Sequence, residues 1–234
     1  MPSENKRITL GAIIFNSLMT ALFFPALILF AAGTWHWLEG WIFGLWFDVM
    51  ALSSMIYTYR HDPALLAERA NAPGSGNQKK WDKYLIIGIY IIALAWFILM
   101  PLDAKRFGWS PAFPVWVKVL GGLLLLPSLY LIYRATVENT FLSTAVRIQT
   151  ERKQQVISTG VYGFVRHPLY LGCVLLQLGA PLLIGSLWGL GISVVGIITL
   201  VVRIVGEEIM LTEELEGYGD YQKKVQYRLI PFVW

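Results

Sequence analysis

The sequence predicts an all-α, multi-pass membrane protein of about six transmembrane helices, and three observations predict it. Of the 234 residues, 56% are hydrophobic and 15% charged, with a mean hydropathy of +0.56. A typical soluble domain is nearer 45–50% apolar and about 25% charged. The apolar residues fall into runs of the length a bilayer demands, about 20 per helix for a hydrocarbon core of about 30 Å. The basic residues gather between alternate runs, as the positive-inside rule requires.

Taking the spans in order, Ile8 to Leu38 contains no Asp, Glu, Lys or Arg and gives a first span over residues 8–32. A cleaved signal peptide would have a shorter apolar region and a small-residue cleavage site. The second span, 36–58, carries Glu39 near its start and Asp48 in its middle. Tyr84 to Leu102 forms a third and Val115 to Tyr133 a fourth. Leu169 to Val202 then runs 34 residues without a charge. As one helix it would measure about 51 Å, too long for the hydrocarbon core. Pro181, Gly185, Gly189 and Gly191 interrupt it, so it reads as a tight hairpin of two short helices turning around residues 185–189.

With the N-terminus in the cytoplasm, the inside segments hold Lys6, Arg7, Arg60, Arg69, Lys79, Lys80, Lys83, Arg134, Arg147, Arg152, Lys153, Arg166, Arg203, Lys223, Lys224 and Arg228. These are sixteen of the nineteen basic residues; Lys105, Arg106 and Lys118 lie outside. Six spans with both termini cytoplasmic follow. The net charge of +4 therefore expresses topology and gives no reason to expect a nucleic-acid partner. One cysteine, Cys173, and three histidines leave no Cys-rich or multi-histidine metal centre to expect. The chain divides into helices one to four (1–135), with a cytoplasmic loop at 60–83, and a C-terminal core (136–234), the two forming one integral unit. Polar sequence concentrates on the cytoplasmic face of the C-terminal core, so a pocket for a soluble small molecule is expected there.

Two clusters in that core could carry chemistry. Arg166 and His167 stand just before Pro168, which suits the first turn of a helix. Free backbone donors at such a helix start can receive an anionic group; equally, Arg166 can be a snorkelling anchor and His167 an interfacial cap. Further on, Arg203 and Glu207 are four residues apart and would pair on one helix face. Glu207 and Glu208, so close to the membrane, each need a partner or a cation. The tail from Tyr218 through Tyr221, Val225 and Arg228 to Pro231 could fold back as a lid. Gly40-x-x-x-Gly44 reads as a helix-packing motif, and Asp48 as an interhelical hydrogen bond ahead of a proton path.

Taken together, Arg166-His-Pro-x-Tyr-x-Gly172, an apolar hairpin, Glu207-Glu-x-x-Leu211 and the Tyr218-to-Pro231 pattern resemble the isoprenylcysteine carboxyl methyltransferase family. That family belongs to a wider set of membrane methyltransferases that includes phospholipid N-methyltransferases. The resemblance covers residues 136–234, and Asp62-Pro-Ala-Leu-Leu-Ala-Glu-Arg69 also resembles bacterial members, which places the protein in a bacterial inner membrane. The resemblance implies methyl transfer from S-adenosyl-L-methionine to a lipophilic acceptor entering from the bilayer, most simply an isoprenylcysteine-type carboxylate. By the same resemblance the cofactor contacts Gln149, Gln154, Gln155, Val156, Ile157, Tyr162, His167, Pro168, Leu169, Tyr170 and Glu207. Arg203, with Arg166, would bind substrate, and Arg203 and Glu207 would form the catalytic pair. A phospholipid amine or a small thiol are alternative acceptors, and an NADPH-dependent membrane reductase is a further alternative. In the family pattern a Phe-Gly follows the Glu-Glu-x-x-Leu element; here its place is taken by Leu215-Glu216.

Overall fold

The computed structural model describes residues 10–71, 73, 74 and 76–234, and every described element is helix, turn or loop. Lys6 and Arg7 lie outside the described residues. Helix α1 spans Leu10–Ala32, α2 Leu38–His61, α3 Pro63–Arg69 and α4 Lys80–Pro101, which continues as a π-helical turn to Phe107. Helix α5 spans Val115–Glu138, α6 Pro168–Ile184, α7 Leu187–Glu214 and α8 Tyr218–Lys224. Four of these (α2, α4 with its π turn, α5 and α7) are long and apolar enough to cross a membrane by length and composition, and α1 and α6 contribute shorter apolar stretches.

The helices start and stop where backbone chemistry allows. Asp62 caps α3, its Oδ1 accepting from Leu65 N at 2.9 Å, with Pro63 at the first helical position. The expected hairpin is present: α6 ends on Gly185 in the left-handed region (φ +87°), and Ser186 caps α7 by accepting from Gly189 N at 2.8 Å. Its second arm is not short, however, since α7 runs 28 residues, about 42 Å. The helix continues past the apolar run because Arg203, Glu207 and Glu208 all find partners at its far end. Glu207 lies twenty residues beyond Leu187, about 30 Å along the axis, where a hydrocarbon core would end.

Packing follows small residues and aromatics. Helices α5 and α6 make the most extensive contact in the molecule. Gly121, Gly172 and Gly179 allow it: a Cβ at Gly172 would sit 2.7 Å from Ile132 Cγ1 and 3.2 Å from the Ser128 carbonyl. Ser128 Oγ donates across this seam to the Gly172 carbonyl at 2.8 Å. The Gly40-x-x-x-Gly44 motif packs α2 on α1, where a Cβ at Gly44 would sit 3.1 Å from Pro25 Cα. Phe43, Trp46, Trp96 and Met100 fill the core among α1, α2 and α4. Trp46 Nε1 donates to the Leu125 carbonyl at 2.9 Å and Trp96 Nε1 to Ser193 Oγ at 2.9 Å. Outside, Phe30, Ile91, Trp116 and Leu126 are exposed. An apolar exterior this extensive suits lipid and explains the composition.

One end of the bundle is short-looped. The other carries α3, the 139–167 segment, α8 and the tail. Helix α5, which ends at Glu138, packs along α6.

Candidate active site

At the loop-rich end a cavity of about 270 Å³ lies among α4, α6, α7 and the 139–157 segment. Gln154, Gln155, Val156, Ile157, Tyr162, Arg166, His167, Pro168, Leu169, Tyr170, Arg203 and Glu207 all line it. Its lining is mixed: Tyr162, Tyr218, Tyr221 and residues 142–147 and 154–157 contribute alongside the apolar Ile86, Ile89, Tyr90, Cys173 and Leu200. Tyr162, buried in the 160–163 turn, accepts from Asn139 Nδ2 at 3.2 Å and donates to the Ala135 carbonyl at 3.3 Å. Burial pushes its phenol above the ordinary range, as it does those of Tyr218 and Tyr221, so all three remain neutral donors at physiological pH.

The two glutamates separate in role. Glu207 accepts one hydrogen bond from the protein, from Tyr170 Oη at 2.7 Å, and is half-buried on the cavity wall. Glu208, on the other side of α7, is buried and saturated. Arg166 Nε reaches its Oε1 at 2.6 Å, Arg228 Nε its Oε2 at 2.6 Å, and His167 Nε2 lies 3.2 Å from Oε1.

Three expectations about side chains are corrected. Arg203 does not pair with Glu207. Its Nε donates to Asp82 Oδ1 at 2.8 Å, and its Nη2 donates to the Thr144 carbonyl at 2.6 Å and to Asp82 Oδ2 at 3.4 Å. A fully buried carboxylate on a neighbouring helix is a stronger partner than a half-solvated one on the same helix face. Arg166 is not free for a substrate: beyond Glu208, its Nη1 donates to the carbonyls of Val225 and Gln226 at 2.7 and 2.8 Å. Gln149 stays out of the cavity. It is fully buried, donating through Nε2 to the Phe141 carbonyl and accepting from Arg152 Nη1, each at 2.8 Å, and so braces the loop that forms the wall.

The sequence reading missed Asp82. It sits in the first turn of α4 and accepts from Arg203, Val146 N (2.7 Å) and Gln78 Nε2 (2.7 Å), tying the loop to two helices. A lone acid in Lys79-Lys-Trp-Asp-Lys83, at the mouth of an apolar span, was the available signal. The tail does fold back as expected. Arg166 N and His167 N donate to the carbonyls of Tyr227 and Arg228, both at 2.9 Å, strapping the C-terminus against the start of α6.

These features define a class: a helical membrane protein with a cavity at one end, lined by apolar and polar residues that include Glu207 and several arginines. Residues 115–213 match the model of the isoprenylcysteine carboxyl methyltransferase family. That stretch holds α5, α6, most of α7 and the cavity-lining residues from Asn139 to Leu211. The fold also matches a solved structure, that of the eukaryotic intramembrane Ras methyltransferase isoprenylcysteine carboxyl methyltransferase without a monobody. The TM-score is 0.54 at 18% identity, covering 100% of this chain and 87% of that one; at that identity the likeness is one of fold. Among curated proteins, none matches the sequence.

Proposed function

We propose that the protein is an S-adenosyl-L-methionine-dependent methyltransferase that esterifies the carboxylate of a lipophilic, isoprenylcysteine-type acceptor at the cytoplasmic face of a bacterial inner membrane. The observation that carries this is the meeting, in one cavity lined by both polar and apolar residues, of a glutamate with a spare carboxylate edge and an arginine.

The residues present fit the cofactor. Glu207, bonded by the protein only through Tyr170, offers its carboxylate to hydroxyl or ammonium donors. Neutral Tyr162, Tyr218 and Tyr221, with Val156, Ile157, Leu169 and Leu211, line a mixed aromatic and aliphatic wall suited to a purine. S-adenosylmethionine, when bound, supplies an electrophilic methyl group on a sulfonium. The acceptor carboxylate forms its new C–O bond as the C–S bond breaks and sulfur takes the electron pair. No proton moves, so the protein's task is positioning.

Arg203 is placed for that task. Asp82 and the Thr144 carbonyl engage Nε and Nη2, fixing the guanidinium plane, while Nη1 has no protein partner among the described residues. The carboxylate of Asp82 also tempers the positive charge, so Arg203 can orient an acceptor carboxylate without quenching its nucleophilicity. The apolar lining residues Ile86, Ile89 and Leu200, with Tyr90 half exposed on α4, would take the lipid from the bilayer.

An amine or thiol acceptor needs a base. Glu208 is consumed by three partners, so Glu207 would have to serve both as base and as cofactor ligand. NADPH would need several cationic side chains for its phosphates, but of the four arginines in the wall Arg147, Arg166 and Arg203 are each held by a carboxylate, which leaves Arg69 alone.

Incubating detergent-purified protein with methyl-tritiated S-adenosylmethionine and N-acetyl-S-farnesylcysteine tests the proposal. Label should enter a product that releases volatile methanol in base, as an ester does. Base-stable label, or no transfer to this carboxylate acceptor, would refute the proposal; label transferred instead to a lipophilic amine or thiol offered in parallel would point to N- or S-methylation.

A further inference from the structure

Four arginines line the cavity, and three of them are neutralised. Arg147 is bound by Glu68 (2.7 Å) and Glu151 (2.6 Å), Arg166 by Glu208 (2.6 Å) and Arg203 by Asp82 (2.8 Å). Arg69 is the exception. Among the described residues no carboxylate lies within ion-pair distance of it, and its one hydrogen bond is a long one, from Nη1 to Thr136 Oγ1 at 3.3 Å.

Its neighbours on α3 cannot supply the missing charge. Glu68 is occupied by Arg147 and by Ser143 Oγ, and Asp62 caps the helix and faces Arg152 at 3.8 Å. Arg69 is nonetheless half-buried, and burial opposes its charge. A partly desolvated guanidinium without a counter-charge costs free energy in the empty cavity, and an anion arriving there recovers it. Arg69 lines the same cavity as the apolar side chains of Ile86, Tyr90 and Cys173 and as Arg203.

We propose that Arg69 is the charge-reading residue of the acceptor site. Its unneutralised guanidinium receives the anionic head of the lipophilic acceptor, so the site selects acceptors that are anionic at the reacting end and rejects neutral or cationic ones. The proposal rests on the methyltransferase reading above. The two arginines divide the work: Arg203, fixed and tempered by Asp82, orients, and Arg69, uncompensated, discriminates by charge. A protonated amine would meet like charge at Arg69, and a neutral thiol would leave the guanidinium unpaired.

The test uses full-length protein in detergent. S-adenosylhomocysteine is titrated first; the saturated protein is then titrated with N-acetyl-S-farnesylcysteine or its carboxamide, which is isosteric and uncharged. The wild type should bind the carboxylate about tenfold or more tighter than the amide, as expected for a charge-assisted hydrogen bond. Arg69→Gln should bring the ratio close to one by weakening only the carboxylate, leaving amide and S-adenosylhomocysteine affinities unchanged. Arg69→Lys should keep part of the preference, since it keeps the charge and loses the fork. A preference that survives Arg69→Gln, or a wild type without one, overturns the proposal. So does a variant that loses S-adenosylhomocysteine and both lipids together, because Arg69 would then be structural. Failure of the wild type to bind S-adenosylhomocysteine would instead overturn the methyltransferase reading on which the proposal stands.

Discussion

Two faces of the end of α7 put adjacent glutamates to opposite uses. On one, Glu208 gathers Arg166, His167 and Arg228, and the same arginines hold the tail, Arg166 through the Val225 and Gln226 carbonyls and Arg228 stacked on Trp234 at 5.2 Å. Both Glu208 oxygens are engaged and the group is shut from solvent. On the other, among the described residues, Glu207 meets only Tyr170, Arg203 keeps Nη1 unbonded by protein, and Arg69 has no counter-charge. The same residue types at the same depth thus make a clamp where they satisfy each other and a site where they do not. Hydrogen-bonding capacity left facing a cavity is what separates the two, because an unmet buried polar group costs stability that only a ligand can return.

The sharpest way to break this contrast is to delete each glutamate. Glu208→Ala strands the buried Arg166 and removes the partner of the partly exposed Arg228, and should cost about 3–5 kcal/mol, read as a large drop in Tm and loss of the strapped tail to limited proteolysis. Asp82→Ala removes the partner of Arg203 and an anchor of the 146 loop, and should cost a similar or slightly smaller amount while depressing turnover. Glu207→Gln should behave in the opposite sense. Its Tm should shift by no more than about 1 kcal/mol allows, while S-adenosylhomocysteine affinity falls about tenfold or more. If both glutamate variants lose stability equally, the division into clamp and site is wrong.

Smaller effects sharpen the boundary of the clamp. Gly172→Ala would drive a Cβ into Ile132 across the α5–α6 seam and should destabilise by about 1–3 kcal/mol through overpacking, with S-adenosylhomocysteine affinity little changed in the protein that stays folded. The smallest effect concerns pH. Although burial opposes its charge, hydrogen bonds from Arg147 and Ser143 hold the Glu68 carboxyl below its ordinary value of 4.5. A depressed folded-state pKa means the pair stabilises the fold above that ordinary value, and the contribution is lost as pH falls through the folded value. Thermal melts of wild type and Glu68→Gln should therefore differ most at neutral pH and converge as the pH drops below about 4.5.

Much of the architecture was legible because a bilayer imposes a length on each helix and the sequence respects it. The hairpin was readable from Pro181 and Gly185, and the Gly40-x-x-x-Gly44 contact from spacing alone. The true length of α7 was not, because its last turns are polar and are held by partners remote in sequence. For the site, nearly every cavity-lining residue of the 154–170 stretch was identifiable by resemblance. What failed was pairing. An i,i+4 rule joins Arg203 to Glu207, but Asp82, 121 residues away, wins because it is buried and fixed. Arg166 read as a ligand-binding cation for the same reason: its partners lie 42 to 60 residues further along the chain. Arg69 was visible as a basic residue closing the Asp62-to-Arg69 stretch that resembles bacterial members, but its significance lies in a counter-charge it lacks among the described residues, and no sequence pattern encodes that.

The central claim, that the cavity is a methyltransferase cofactor site built around Glu207, is tested most directly by calorimetric titration of the detergent-purified protein with S-adenosylhomocysteine and, separately, with NADPH. The account predicts a saturable heat at one site with S-adenosylhomocysteine, weakened about tenfold or more by Glu207→Gln, and none with NADPH. Heat with NADPH and none with S-adenosylhomocysteine would contradict it.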